Sequence, residues 1–133
     1  MRSPRFLSIS NALQLHRDTI ANEGGSPGLR DAALLESAVM LPQQQFGGEW
    51  LHPDLAAMAA AYLFHIAANH PFIDGNKRTA AMAAFAFLDV NGMELTATPE
   101  TFEAIVMSVA NGTCSKPELT GWMRHNTGRN CLR

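Results

Sequence analysis

A chain of 133 residues suits one domain, since a single core of this size buries most of its apolar surface and needs no staple to fold. At 47% apolar and with no block of like charges it reads as a packed globule rather than a disordered tail. A net charge of −2 with a pI near 6.2 leaves no basic footprint for nucleic acid, so that class of partner is disfavoured.

The opening "MRSPRFLSIS" lacks the apolar stretch of a signal peptide, and the longest uncharged run is broken by His65, Asn69, His70 and Pro71, so no membrane span is expected. A soluble, cytoplasmic protein follows. Cys114 and Cys131 have neither the density of a disulfide scaffold nor the CxxC spacing of a zinc or redox site, and both read as reduced thiols.

The first predicted helix runs from Ser8 or Ser10 to Asn22, with a stripe through Leu13 and Ile20, and "GGSPG" stops it. The second opens at Asp31, a good N-cap, and ends before Pro42. The third starts around Pro53 and Asp54, repeats Leu55, Met58, Tyr62, Leu63 and Ile66 at helical spacing, and ends near Asn69. The fourth begins near Gly75 or Asn76 and runs to Asn91, with Gly92 as a left-handed C-cap. "MELTAT" suits a short extended piece; "PETFEAIVMSVAN" and "PELTGWMRHN" read as helices five and six, each with an early Pro and a first-turn Glu. There is no internal repeat, and the short Gly/Pro/Asn connections are those of packed helices. The fold class is therefore all-α, a bundle of about six helices.

Helices three and four are apolar nearly all round, which places them in the middle of the bundle as a core hairpin. Between Leu55 and Leu88 only Asp74, Lys77 and Arg78 carry formal charge, all in the connection "NHPFIDGNKRTA". Backbone N–H groups at the start of helix four lack intrahelical partners and carry the positive end of the helix dipole, which makes an anion site. Gly75 lets an anion approach the backbone, Asn76 offers an amide donor, and Lys77 and Arg78 add two cations that are unfavourable there without an anionic ligand. Asp74 suits a Mg²⁺ ion shared with phosphate oxygens, and His70 suits a base that takes a proton from an attacking hydroxyl.

Each residue also has a plainer reading. His70 can cap the last carbonyls of helix three, Asp74 and Arg78 can form an i, i+4 ion pair, Asn76 can serve as an N-cap only, and Phe72 reads as a core anchor. His65 reads as a satisfied core histidine, and its i, i+5 spacing from His70 does not fit a zinc hydrolase. His16, His52 and His125 carry no spacing argument, and Trp50 and Trp122 read as packing. What favours chemistry is convergence, because one of only two lysines lies here beside an arginine.

"HPFIDGNKRTA" resembles the signature of the Fic/Doc superfamily, H-x-F-x-[D/E]-[G/A]-N-[G/K]-R, and meets each defined position at His70, Phe72, Asp74, Gly75, Asn76, Lys77 and Arg78. The flanks "LQLHRDTIANEGGSPGLRDAALLESAV", "AFLDVNGMEL" and "ELTGWMRHN" are similar to the death-on-curing branch, so the likeness spans almost the whole chain. It implies a compact Fic-type bundle whose active-site loop joins two buried helices. Adenylyl-transferring Fic proteins have a second glycine where Lys77 stands and an arginine where Ala81 stands; both departures point toward the Doc type, although Gly75 is the broader Fic residue.

The resemblance implies ATP bound in a reversed orientation and its terminal phosphoryl group moved to a protein hydroxyl, with translation elongation factor Tu as the target. The alternatives are adenylyl transfer and a catalytically silent phosphate- or antitoxin-binding module. By matching position, His70 is the general base, Asp74 the Mg²⁺ ligand, Gly75 and Asn76 the anion cradle, and Lys77 and Arg78 the phosphate cations. A small Phd-like antitoxin, folding its carboxy-terminal segment onto the toxin, is the implied partner. "TIANEG", Thr19 to Gly24, fits the family's loose inhibitory pattern [S/T]-x-x-x-E-[G/N], a match that recurs by chance, with Glu23 as the blocking carboxylate.

Overall fold

Side-chain caps set most of the helix starts in the computed structural model, which describes residues 3–129. Six α-helices lie among these residues: α1 (Ile9–Glu23), α2 (Ala32–Met40), α3 (Leu55–Asn69), α4 (Asn76–Val90), α5 (Pro99–Ala110) and α6 (Lys116–His125). Ser8, Asp31, Asp54, Thr98 and Ser115 each accept a hydrogen bond from a first-turn N–H, and at α1 and α6 the side chains of Asn11 and Glu118 accept in return from the N–H of Ser8 and Ser115, completing a capping box. The expected helix starts therefore hold to within a residue or two. Gly92 adopts a left-handed φ of 75° just beyond α4, where Asn91 is the capping residue.

Helix α3 is the central element, packing against α2, α4, α5 and α6. Its small Ala56, Ala57, Ala59, Ala60 and Ala61 let neighbours approach from several sides, while Tyr62, Leu63 and Ile66 fill the space between them. The buried Tyr62 hydroxyl accepts a hydrogen bond from the Leu7 N–H at 2.9 Å, and burial pushes its pKa up to about 12.

Helix α4 corrects the expectation of two fully buried helices. Ala80, Ala83, Ala84, Phe87 and Leu88 face the core, but Met82 and Phe85 on the opposite face are exposed. That apolar face borders a cavity, and periodicity cannot distinguish a residue that lines a groove from one that lines a core.

Two small antiparallel ladders complete the chain. The hairpin β1 (Gln45–Phe46) and β2 (Glu49–Trp50) is absent from the sequence reading. The short extended piece foreseen at "MELTAT" is β3 (Met93–Leu95), and its partner is β4 (Thr127–Arg129), unforeseen because the pairing joins distant segments. Trp50 tilts against Phe6 and Trp122 stacks on Phe102, both as packing. Cys114 is a buried free thiol; Cys131 lies outside the described residues. No described helix is long and apolar enough to cross a membrane.

Candidate active site

The connection between α3 and α4 is held from behind by α1 and the segment that follows it. Helix α1 buries Ala12, His16 and Thr19, so its inward stripe carries two polar residues, while Leu13 and Ile20 are only half-buried. His16 stacks flat on Phe72, with ring centroids 3.8 Å apart and planes 5° from parallel, and its Nε2–H donates to the Asp74 carbonyl at 2.8 Å. Phe72 is buried with Ala12, Leu35 and Val39 in a second, smaller core, so it is the anchor the sequence suggested. The backbone is tied alongside: Leu29 bridges Phe72, the Ile73 N–H donates to the Gly28 carbonyl, and the Arg30 and Asp31 N–H groups donate to the Pro71 carbonyl.

His70 is exposed and lines the cavity. Its backbone is left-handed, φ 49° and ψ 61°, and it is the sole non-glycine with positive φ among the described residues. A conformation that disfavours L side chains persists here because Arg30 donates to the carbonyls of Asn69 and His70, each at 2.6 Å, and the His70 N–H donates to the Ile66 carbonyl. Arg30 thus does the capping proposed for the His70 side chain.

The Asp74 carboxylate is oriented by two backbone donors, the N–H of Gly75 at 2.9 Å and of Ser26 at 3.2 Å. Gly25 leaves it room, since a Cβ there would stand 2.7 Å from the Asp74 Oδ2. Gly75 has φ 75°, and a Cβ on it would press at 3.2 Å on the Ile20 side chain. Asn76 is buried, and its amide spans the loop: Oδ1 accepts from the Phe72 N–H at 2.9 Å and Nδ2 donates to the Phe72 carbonyl at 3.0 Å. It is not an N-cap, for that position belongs to Gly75.

Of the six helices, α4 alone begins without a side-chain cap. Its first N–H groups open where His70, Asp74, Lys77 and Arg78 line one end of a cavity of about 900 Å³. Arg78 donates through Nε and Nη2 to Glu23 rather than pairing with Asp74, and that carboxylate raises the guanidinium pKa. The other end of the cavity is apolar, walled by Met82 and Phe85 of α4 and Phe102, Val106 and Met107 of α5.

The structure therefore brings together His70, Asp74, Gly75, Asn76, Lys77 and Arg78, and adds residues that sequence spacing missed: His16, Gly25, Ser26 and Arg30. A polar pair on the inward stripe of α1 was the one available signal. His65 lies apart, half-buried and accepting from the Lys116 Nζ at 3.0 Å; burial, then Lys116 and His52, lower its pKa to about 4. It is the satisfied histidine expected. His52 is buried with Nδ1 unpartnered, and burial lowers its pKa too.

The sequence model of the Fic/DOC family matches residues 6–88. A relative named Toxin Doc, from Mycolicibacterium smegmatis, is 42% identical over 93 residues, covering 68% of this chain and 72% of that protein. A second, named Protein kinase doc, from Escherichia phage P1, is 32% identical over 124 residues, covering 93% and 97% of the two.

Proposed function

The chain belongs to the Fic/DOC family, and from that premise we propose that it is a Doc-type toxin that moves the terminal phosphoryl group of ATP to a hydroxyl of a target protein, translation elongation factor Tu. The observation that carries the reading is the uncapped N-terminus of α4, opening into a cavity beside an imidazole, a carboxylate and two cations. Orphan N–H groups and a helix dipole attract phosphate, and phosphoryl transfer rests mainly on such positioning and charge stabilisation.

In the step proposed, the hydroxyl oxygen of the target attacks the γ-phosphorus, its proton passes to the His70 imidazole, the bond to the β,γ-bridging oxygen breaks, and ADP leaves. His70 suits the base because its ring is exposed while its backbone is fixed by Arg30. Lys77 and Arg78 take the phosphates. The backbone N–H groups of α4 form the cradle, and the Asn76 amide supports that cradle by fixing Phe72.

Asp74 fits a Mg²⁺ ligand, since its carboxylate is oriented by two N–H donors yet exposed. Among the described residues no cluster of three or more His, Cys, Asp or Glu gathers there, so Asp74 would hold the ion together with phosphate oxygens and water. When bound, the ion neutralises charge on the transferred group.

Lys77 at the helix start and small Ala81 on the cavity wall support phosphoryl over adenylyl transfer, as does the name of the phage relative. A Phd-like antitoxin is the partner, and the apolar end of the cavity suits its carboxy-terminal segment as an amphipathic helix laid in a groove. Glu23 on Arg78 acts as a weak internal block of the phosphate site. The test is incubation with translation extract and Mg²⁺, using ATP labelled at the α or the γ phosphate in parallel. Transfer from γ alone supports the proposal, transfer from α alone makes the protein an adenylyltransferase, and none from either, with His70→Ala behaving identically, leaves a silent binding module.

A further inference from the structure

We propose that His16, on a different helix and 58 residues from Asp74 in sequence, is a positioning residue that sets the orientation of the Asp74–Gly75 peptide and through it the poise of the Asp74 carboxylate. The inference rests on the metal and phosphate reading above. A backbone carbonyl only accepts, so the ring nitrogen 2.8 Å from the Asp74 oxygen carries a hydrogen, and His16 is held with its proton on Nε2.

The peptide is trans, which points its C=O and N–H in opposite directions. With the carbonyl drawn inward to His16, the Gly75 N–H faces away from α1, where it grips the Asp74 Oδ1 at 2.9 Å. The Ser26 N–H holds the other oxygen at 3.2 Å. A carboxylate fixed at both oxygens by backbone donors is one whose orientation depends on the peptide plane, and that plane is set by one side-chain hydrogen bond.

His16 is equipped to hold it. The ring is 4% exposed, it lies flat on Phe72, and Phe72 is itself tied through both backbone groups to Asn76. A displacement of His16 would therefore move the general base's loop and the helix start together. Outer partners that orient a metal ligand typically cost on the order of tenfold or more in metal affinity when removed.

The test compares His16→Leu, which keeps volume but donates nothing, with His16→Gln, whose amide reaches the position of Nε2. The readouts are binding of Mn²⁺ with ATP, followed by the electron paramagnetic resonance of free Mn²⁺, and the Gly75 amide resonance in ¹⁵N–¹H spectra of ligand-free protein. His16→Leu is expected to weaken Mn²⁺–ATP by about tenfold and to shift the Gly75 resonance, and His16→Gln to restore both to near wild type. Should His16→Leu not fold, His16→Asn replaces it, because its donor sits at the Nδ1 position and cannot reach Asp74. Wild-type affinity in His16→Leu, or equal weakening in both variants with Gly75 unmoved, would overturn the proposal. Wild-type protein that binds no Mn²⁺–ATP defeats the nucleotide reading instead, and the Gly75 resonance still decides whether His16 sets the loop.

Discussion

Glu23→Gln tests how strongly the helix-one carboxylate competes for Arg78. Both partners are open to water, with 57% of the Arg78 and 41% of the Glu23 side chain exposed. Exposed ion pairs are worth about 0.2–1 kcal/mol, and about 1.4 kcal/mol is a tenfold change in an equilibrium constant. Freeing Arg78 can then improve phosphate binding about fivefold at most. Titration calorimetry of ATP with Mg²⁺ should show a dissociation constant lowered by about 1.4- to fivefold, and salt near 0.5 M should erase the difference because exposed charges are screened. The melting temperature should fall by only about 2 °C. A gain of a hundredfold or more would refute the reasoning, since no solvent-exposed pair stores that much, and unchanged affinity would mean Glu23 does not compete for the site at all.

Asn76→Ala should cost about 3 kcal/mol in denaturant unfolding, because the buried N–H and C=O of Phe72 lose their partners together, and transfer should fall on the order of 10² because the loop and helix start it braces are misplaced; full stability would show that the amide does not hold the loop. His70→Ala and His70→Gly should both lose about 10² to 10⁴ in transfer rate. The glycine variant should be about 1 kcal/mol more stable than the alanine one, since the site is left-handed, and the reverse order would contradict that backbone. His65 is harder to protonate folded than unfolded, so its contribution is intact above pH 6.5 and is lost as pH falls toward 4. With allowance for partial exposure the loss is about 2 kcal/mol; stability of His65→Leu should vary less over that window, and an identical slope in both proteins would remove His65 as its source.

The loop is tied to the rest of the molecule at many points. Residues 16–31 meet the stretch from Asn69 to Arg78 through side chains of His16, Glu23 and Arg30 and backbone of Ser26, Gly28, Leu29 and Arg30. A site built this way places its imidazole and carboxylate on backbone fixed by distant partners, which suits chemistry that depends on positioning.

What the sequence settled by itself is local. Asp31 and Asp54 announce helix starts because a cap reaches only two or three residues, and the apolar repeat of Leu55 to Ile66 announces α3 because its period is intrinsic to the helix. The run from His70 to Arg78 could be read as a site for the same reason, its groups being neighbours along the chain. Tertiary structure decided the rest: that α4 turns Met82 and Phe85 to a cavity, that Arg78 meets Glu23 instead of Asp74, and that His16 backs the carboxylate. Those outcomes depend on which helix packs beside the loop. Contacts between residues some 50 positions apart leave no periodic trace in either segment, so they became visible only once α1 lay against α4.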